Sequence, residues 1–368
     1  MTAFPMIRLA GGPRERGVEH GRQAADRIAL ALDLYRAEFA RKGVAWEEAL
    51  ALASEFLTHM RAYDAELVTE LEGIAHGARQ PLPAIVIINA RTEIMYWKAG
   101  KQKTREALVG ADECTSAVAM PEATADRRTL HAMNWDWQVD CAELIVVLNI
   151  AATADAPAIL TSVEAGQLAR HGFNGAGIAI TINGLHSSQD YGRFGIPSPM
   201  IRRRMLMSTR LATAMYALNN APRAFSHYVA VSHAGGEAFG IEATPDDLFV
   251  LSPQNGVLVH ANHFQSPIAQ IKLTDLNIAR LPETLYRERR VARHLEKAAG
   301  SITVDTIKAA LADSYGSPDA VCRSPSQRPG GMVTGTVYTL VMDAGAKSML
   351  LAPKPYLGAH YTEYRLDA

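Results

Sequence analysis

The stretch Asp112-Glu113-Cys114-Thr115-Ser116 marks a change in the character of the sequence, and Met133-Asn134-Trp135-Asp136-Trp137 follows a short distance downstream. Apolar residues before this junction recur at helical spacing, whereas those after it form short runs that are typical of strands. Cys114 has polar neighbours and is followed by the apolar run Ala117-Val118-Ala119. This pattern predicts a thiol at the mouth of one strand and a carboxylate near the end of the next.

The two parts of the chain predict one fold. Residues 13–99 read as helices. From Cys114 onward short strands form a meander, helical spacing returns over residues 198–226, and a second set of strands follows. Because regular strand–helix–strand alternation is missing, we predict an α+β fold, an αββα sandwich of two largely antiparallel sheets flanked by helices. Segments 1–113 and 114–368 are predicted to form one such unit together.

Composition indicates a soluble protein with a large core and argues against several functional classes. Hydrophobic residues make up 48% of the chain, and the net charge of −1 gives no overall attraction to nucleic acid. No run reaches the ~18–20 apolar residues of a membrane span, and no signal peptide is recognisable. The basic cluster Arg202-Arg203-Arg204 is predicted to be the polar face of a helix. We expect a cytoplasmic protein with no nucleic-acid or membrane partner, and a homo-oligomer stays open.

Cys114 is the strongest candidate for chemistry among three cysteines. A lone cysteine is usually a small core residue, and Cys141 and Cys322 are interpreted in that way. No papain-type signature surrounds Cys114. Cleavage of the peptide bond before it would instead place an α-amino group, with a pKa of about 7.7–8.0, on the same residue as the thiol. That amino group could serve as the general base that the thiol needs.

Other polar residues leave alternatives open. A strongly apolar helix is predicted over residues 84–97, with Arg91 and Glu93 embedded in it. Because unpaired buried charge is costly, these two residues either pair with other segments or act directly near the site. The histidines His233, His260 and His263 have no cysteine or carboxylate set that would complete a metal site. We therefore expect no metal and no cofactor.

Eight short motifs are weak one by one but distinctive in their order and spacing. They are Gly17-Val18-Glu19-His20-Gly21, Asn89-Ala90-Arg91-Thr92-Glu93, Glu113-Cys114-Thr115-Ser116, Asn134-Trp135-Asp136, Glu164-Ala165-Gly166, Gly172-Phe173-Asn174-Gly175-Ala176-Gly177, Val259-His260-Ala261-Asn262-His263 and Cys322-Arg323. Together they resemble the acyl-coenzyme A:6-aminopenicillanic acid acyltransferase family, self-processing members of the N-terminal-nucleophile hydrolases, over nearly the whole chain. The resemblance implies an enzyme that cleaves or forms an amide through a thioester. Its substrate would be a small-molecule amide or an acyl thioester, including a coenzyme A thioester.

The resemblance assigns roles to four residues by position. Cys114 would be the nucleophile and, after self-cleavage, the N-terminus of a heavy chain, with residues 1–113 as the light chain. Asp136 would hold the new α-amino group, and Asn262 would donate an N–H to the oxyanion. Arg323 would support Asp136 and lower the pKa of the thiol. Each has an ordinary alternative: a turn carboxylate for Asp136, a loop amide for Asn262 and a surface ion pair for Arg323.

Supporting residues are predicted as well. Asn134 lies two residues before Asp136 and should point to the same side of its strand. The further candidates for a supporting shell are Arg91, Glu93, Glu164 and Asn174.

One departure from the family concerns the residue before the nucleophile. The penicillin-pathway member has glycine there, whereas this chain has Glu113. A side chain restricts the backbone that cleavage needs, so Glu113 either slows cleavage or assists it with its carboxylate. The sequence does not separate hydrolysis from acyl transfer, because both pass through the same acyl-enzyme. It also leaves open an uncut, non-catalytic binding protein on the same scaffold.

Overall fold

The computed structural model describes residues 2–97, 113–328 and 331–367 and arranges them as helices, sheet, sheet and helices. The predicted α+β fold, an αββα sandwich of two largely antiparallel sheets, is confirmed. Asp112, the first residue of the junction motif, lies outside the described residues.

Sheet A has eight strands within the described ranges. In order across the sheet they are β1 (Met6–Leu9), β4 (Ile145–Ile150), β5 (Ile159–Glu164), β6 (His171–Asn174), β7 (Ile178–Gly184), β8 (His227–His233), β9 (Glu237–Ala243) and β10 (Leu248–Leu251). Neighbours run antiparallel except β1 and β4, which run parallel. Strand β1 precedes the predicted helical range of residues 13–99 and was not predicted, because four residues are too few to show a clear period.

Sheet B carries the junction motif in its centre. In order it contains β11 (Val257–His260), β2 (Glu113–Ala119), β3 (Leu130–Gln138), β13 (Val333–Asp343), β14 (Ser348–Pro353) and β15 (Thr362–Arg365), with the short β12 (Ser326–Gln327) beside β13. Strands β13 and β14 form an antiparallel hairpin, and β15 extends it. Strands β2 and β3 pack against β7 of sheet A, so the inner faces of the two sheets meet there.

Helices cover both outer faces. Those on the side of sheet A are α1 (Pro13–Gln23), α2 (Ala25–Arg41), α3 (Trp46–Tyr63), α4 (Ala65–Ala78), α5 (Leu82–Asn89), α6 (Arg91–Met95), α7 (Ser198–Leu206) and α8 (Leu211–Asn219). After β11 come α9 (Pro267–Lys272), α10 (Thr284–Glu296) and α11 (Val304–Leu311), and the last two cover the outer face of sheet B. The helix predicted over residues 84–97 is interrupted at Ala90, where the backbone leaves helical geometry.

Two glycines of the motif Gly17-Val18-Glu19-His20-Gly21 allow helices α1 and α4 to touch through their backbones. A Cβ on Gly17 would lie 2.1 Å from the carbonyl oxygen of Glu70, and one on Gly21 would lie 2.2 Å from that of Ile74. Side-chain atoms do not come this close to a backbone oxygen, so the two helices would have to move apart.

We expect Gly21→Ala to lower the free energy of unfolding by about 2–4 kcal/mol, the size of a severe overpacking defect. Gly175→Ala is the matched control, because a Cβ there meets its nearest neighbours at an ordinary 3.7 Å. Urea unfolding of both variants checks this expectation. Equal unfolding midpoints for the two variants would contradict the close approach of α1 and α4.

The same motif and two others meet in one buried network. The His20 ring nitrogen Nε2 accepts a hydrogen bond from the Gly166 N–H at 3.1 Å, and Asn89 Nδ2 donates to the Gly166 carbonyl oxygen at 2.8 Å. Arg91 Nε pairs with the Glu164 carboxylate at 3.1 Å. Burial lowers the pKa of His20 to about 3, so its ring is neutral and can accept. This network fixes the loop after β5 against the helices.

Candidate active site

Cys114 lies on the inner face of sheet B. Its neighbour Thr115 contacts Arg287 on the outer helix α10, and successive side chains of a strand point to opposite faces. The Cys114 side chain therefore points inward, next to its cross-strand partner Trp135. Only 1% of Cys114 is exposed.

Two side chains contact the backbone of Cys114 directly. The Cys114 N–H donates to Asn262 Oδ1 at 2.7 Å, and Arg287 Nη1 donates to the Cys114 carbonyl oxygen at 2.7 Å. Arg287 Nη2 also donates to Asn262 Oδ1 at 2.9 Å. Because both neighbours of this Asn262 atom are donors, it must be the oxygen, and the orientation of the amide is fixed. The predicted pair Cys114 and Asn262 is thus in contact.

Hydrogen bonds hold Asn262 through its backbone N–H, its backbone carbonyl oxygen and its side-chain nitrogen. Its N–H donates to Thr284 Oγ1 at 2.7 Å, its carbonyl oxygen accepts from Asn277 Nδ2 at 2.8 Å, and its Nδ2 donates to the Gly184 carbonyl oxygen at 2.9 Å. The residue is fully buried. A group held in this way needs little reorganisation during a reaction.

Glu113 and Arg323 form the centre of an ion cluster on the outer face of sheet B. Arg323 Nη1 lies 2.5 Å from Glu113 Oε2 and 3.0 Å from Glu283 Oε1, and its Nη2 pairs with Asp319. Arg328 Nη2 adds a second cation 3.2 Å from Glu113 Oε2. Burial raises the pKa of the Glu113 carboxyl, and the charge of Arg323 opposes that shift. The side chain before Cys114 is therefore anchored by two arginines.

Asp136 lies opposite Glu113 on β3, also on the outer face. Its Oδ1 accepts from Thr336 Oγ1 at 2.6 Å, while its Oδ2 has no hydrogen-bond partner among the described residues. Burial raises the pKa of this carboxyl to about 7, against the opposing charges of Arg323 and Arg287. Arg323 forms its ion pairs with Glu113, Glu283 and Asp319, so its predicted support of Asp136 is limited to this longer-range attraction.

The raised pKa of Asp136 makes stability depend on pH. The folded chain keeps the proton up to about pH 7, whereas the unfolded chain releases it near 3.8. The stabilising contribution is therefore full below about pH 4 and is lost as pH rises through about 7, by up to about 4 kcal/mol. We expect Asp136→Asn, compared in an uncut Cys114→Ala background, to flatten the fall in unfolding free energy between pH 4 and 7.

Chemical denaturation at several pH values measures this fall. Glu93 and Asp190, whose pKa values burial also raises to about 7, keep part of the slope in both proteins. An identical pH slope with and without the Asp136 carboxyl would contradict the assignment.

Asn134 and Asn174 both bind backbone groups, at different distances from Cys114. Asn134 Nδ2 donates to the carbonyl oxygens of Leu311 and Val321, each at 2.8 Å, so it fixes the segment that leads to Arg323. Asn174 lies at the end of β6 opposite Ile159, five residues along β5 from Glu164. That separation is about 16 Å at strand spacing. Asn174 Nδ2 donates to the carbonyl oxygens of Leu206 and Ser208, at 2.7 and 2.8 Å, and the supporting role suggested for it stays a prediction.

Arg91, Glu93 and Glu164 lie on the other side of Cys114, toward sheet A. Arg91 pairs with Glu164, which confirms the interpretation that it pairs with another segment. Glu93 Oε1 accepts from the Ser198 N–H at 3.2 Å, at the start of α7. Arg91 and Glu93 also line a polar cavity.

The histidines of the weak metal pattern have other contacts. His260 Nε2 lies 3.0 Å from Glu242 Oε1, and its ring stacks on Tyr228 with centroids 3.7 Å apart. His233 Nδ1 accepts from the Gly235 N–H at 2.9 Å. In residues 2–97, 113–328 and 331–367, no group of three potential ligands is arranged to hold a metal ion. The same ranges contain no helix with the length and apolar character of a membrane span.

Sequence reasoning missed Arg287. It lies on α10, a helix that carries several other arginines. The missed signal is positional: Arg287, Val291 and Leu295 repeat every four residues and form the buried stripe of the helix. An arginine on the apolar stripe, rather than beside it, indicates a buried contact.

The chain is similar in sequence to proteins of known activity. A family model described as acyl-coenzyme A:6-aminopenicillanic acid acyl-transferase matches residues 124–352, which include Asp136, Asn262 and Arg323 and begin after Cys114. The acyl-coenzyme A:6-aminopenicillanic-acid-acyltransferase 40 kDa form of Emericella nidulans is 29% identical over 356 residues, 95% of this chain and 92% of the relative.

Several solved structures resemble the chain at low sequence identity. A mutant of the conjugated bile acid hydrolase from Clostridium perfringens is 14% identical, with a TM-score of 0.47, over 69% of this chain and 92% of that chain. Penicillin V acylase from Agrobacterium tumefaciens is 13% identical, with a TM-score of 0.41, over 69% of this chain and 86% of that chain.

Proposed function

We propose that the chain, which belongs to the acyl-coenzyme A:6-aminopenicillanic acid acyltransferase family, is self-processing. As a member of that family it is an enzyme that acts on amide or acyl bonds. Its nucleophile would be the thiol of Cys114, which becomes an N-terminus when the Glu113–Cys114 bond is cut. The observation that supports this most is the double contact on Cys114, whose N–H meets Asn262 and whose carbonyl oxygen meets Arg287.

Self-cleavage would begin with attack of the Cys114 sulfur on the carbonyl carbon of Glu113. The carbon–nitrogen bond then breaks, the acyl group moves to sulfur as a thioester, and the released amine takes up the thiol proton. Water opens the thioester and leaves Glu113 as the C-terminus of a light chain of residues 1–113. Arg323 and Arg328 hold the Glu113 side chain and so restrict how the scissile bond can move.

Turnover would use the same sulfur on a substrate carbonyl. The α-amino group of Cys114 takes the thiol proton as general base and returns it to the leaving amine or thiol. Asn262 donates to the oxygen that becomes negative, and Asp136 stabilises the charged amino group. Water or an amine then takes the acyl group from the thioester, and a coenzyme A thioester is a further acyl donor.

The test is to trap the acyl-enzyme. The purified enzyme is incubated with a panel of amides and acyl thioesters, with and without added amines, and acid-quenched samples are measured by intact mass. We expect an acyl adduct on the chain that begins at Cys114. Turnover with adducts on other residues, or with no thiol requirement, would overturn the proposal.

A further inference from the structure

The side chain of Glu113 is a second point at which the structure holds the Glu113–Cys114 bond. Glu113 is only 4% exposed, and its Oε2 lies 2.5 Å from Arg323 Nη1 and 3.2 Å from Arg328 Nη2. A buried carboxylate is costly unless it is paired. Two guanidinium groups on one oxygen therefore fix the position of this side chain, and with it the Cα atom of Glu113.

Both arginines are themselves held in place. The Arg323 N–H donates to Thr336 Oγ1 at 2.8 Å, and the Thr336 N–H donates to the Arg323 carbonyl oxygen at 3.1 Å. Arg328 Nε donates to Thr334 Oγ1 at 2.9 Å. Both threonines belong to β13, which is separated from β2 by β3. The arginines therefore reach Glu113 from a neighbouring part of sheet B, across the outer face of β3.

The scissile peptide unit is held at both ends. The atoms from the Cα of Glu113 to the Cα of Cys114 lie close to one plane, because the peptide bond is planar. The Glu113 side chain fixes one end of that plane. At the other end Asn262 accepts from the Cys114 N–H, and Arg287 donates to the Cys114 carbonyl oxygen. Fixed points at both ends determine which face the Glu113 carbonyl carbon presents to the Cys114 sulfur.

We propose that Glu113 is a positioning residue for self-cleavage, and that Arg328 together with Arg323 acts in this step by holding the Glu113 carboxylate. The inference rests on the proposed function, because it takes attack of the Cys114 sulfur on the Glu113 carbonyl as the reaction. A side chain at this position thus accelerates cleavage rather than slowing it. The contact between Glu113 and Arg328 serves cleavage and not turnover, because Glu113 is no longer bonded to Cys114 once the chain is cut.

Neutralising Glu113 leaves neither arginine without a carboxylate. Arg323 keeps Glu283 at 3.0 Å and Asp319 at 2.5 Å, and Arg328 keeps Asp319 at 2.9 Å. Removing one partner of a buried pair is most damaging where it leaves the other charge uncompensated. Because that does not happen here, Glu113→Gln tests the position of the scissile bond rather than the stability of the cluster.

Pulse-labelled cell-free synthesis measures the rate of cleavage. The chain is labelled briefly with radioactive methionine, and later samples are separated by denaturing electrophoresis into the uncut chain and its fragments. We expect Glu113→Gln and Arg328→Gln each to slow cleavage about 10- to 100-fold, because a displacement of about 1 Å between reacting groups can cost about 100-fold. Glu113→Asp keeps the charge but is one methylene shorter, and it should fall between wild type and Glu113→Gln.

Turnover by the cut enzyme distinguishes positioning of the scissile bond from a general defect. Each variant is purified after cleavage is complete, and kcat and KM are measured per cut chain. We expect the loss in the rate of cleavage to exceed the loss in kcat/KM at least about fivefold, since the contact acts only before the bond is cut. Urea unfolding of the same variants in an uncut Cys114→Ala background measures any loss of stability separately.

A matched arginine and a double variant complete the test. Arg290 pairs with Asp313 at 2.6 Å on α10, which covers the same outer face of sheet B, and Arg290→Gln should be cut at the wild-type rate. Combining Glu113→Gln with Arg328→Gln should slow cleavage no more than about twofold beyond Glu113→Gln alone, because both substitutions break one contact.

The outcomes separate the anchor at Glu113 from the proposed function. Cleavage of Glu113→Gln at or above the wild-type rate would overturn the anchor and leave self-cleavage at Cys114 intact. Equal losses in cleavage and in kcat/KM would also overturn it, because they would show a general effect of the substitution. A wild-type chain that is never cut would instead contradict the proposed function, since no cleavage would exist for Glu113 to position.

Discussion

Cys114→Ala is expected to give a chain that is never cut at residue 113 and that lacks amide-cleaving and acyl-transfer activity. The substitution removes the sulfur that would attack both the Glu113 carbonyl and the substrate, and loss of a covalent nucleophile typically costs about 10⁴-fold or more in rate. The fold should survive, because alanine loses little volume at this buried position. Intact mass and an amide or thioester assay measure the two effects.

Cys141→Ala is the matched control. Cys141 is a second buried thiol, located beside Tyr35 and Glu164 rather than at the junction. This variant should be cut and active, with at most a modest loss of stability. Cleavage or full activity in Cys114→Ala would exclude the thiol as the nucleophile.

Arg287→Gln is expected to slow self-cleavage and turnover about 10²-fold, near the value for losing one oriented hydrogen-bond donor. The arginine does not contact the scissile carbonyl. It joins the Cys114 carbonyl oxygen to Asn262 Oδ1 and so orients both residues. Arg293→Gln is the control, because Arg293 is exposed on the same helix. Quenched time courses of cleavage, together with kcat and KM, give the effect.

A double-mutant cycle distinguishes positioning from a general loss of stability. If Arg287 acts through Asn262, then Arg287→Gln should add less than about threefold to the rate loss of Asn262→Ala. Fully multiplicative effects in the double variant would show that Arg287 acts independently of Asn262.

The fold class could be predicted from the sequence because helical spacing extends over a long stretch before Cys114 and strand-like runs extend over a long stretch after it. Sequence-based prediction failed where an element is very short, or where the packing of the folded chain interrupts a helix that the local pattern favours. Met6–Leu9 is a four-residue strand whose partner, β4, lies more than a hundred residues away. The helix predicted over residues 84–97 is two helices that are separated at Ala90. No glycine or proline at this position indicates the break in the sequence.

The burial of charged residues is a second property that the local sequence does not predict. Arg203 is buried against Glu70, at 2.9 Å, although its neighbours in the basic cluster suggested a solvated face. Its partner lies on α4, far away in the sequence, so the pairing depends on how the helices pack. The same holds for Glu113, whose partner Arg323 is brought to it by sheet B.

The candidate site was predicted only in part. The resemblance assigned Cys114 and Asn262 to one site but did not predict that Asn262 Oδ1 accepts from the Cys114 N–H, and Arg287 appeared as one arginine among many on α10. The Cys114 side chain on β2 and Asp136 on β3 lie on opposite faces of sheet B, which the spacing of two distant motifs does not reveal. The departure at Glu113 now has a structural setting, the pair of arginines that anchors its carboxylate.

The most direct test of the central claim is the intact mass of the freshly purified protein, followed over time and combined with N-terminal sequencing. The account predicts that the uncut chain gives way to one fragment ending at Glu113 and another whose sequence begins Cys114-Thr115-Ser116. A chain that stays whole while it turns over amides or thioesters would contradict it.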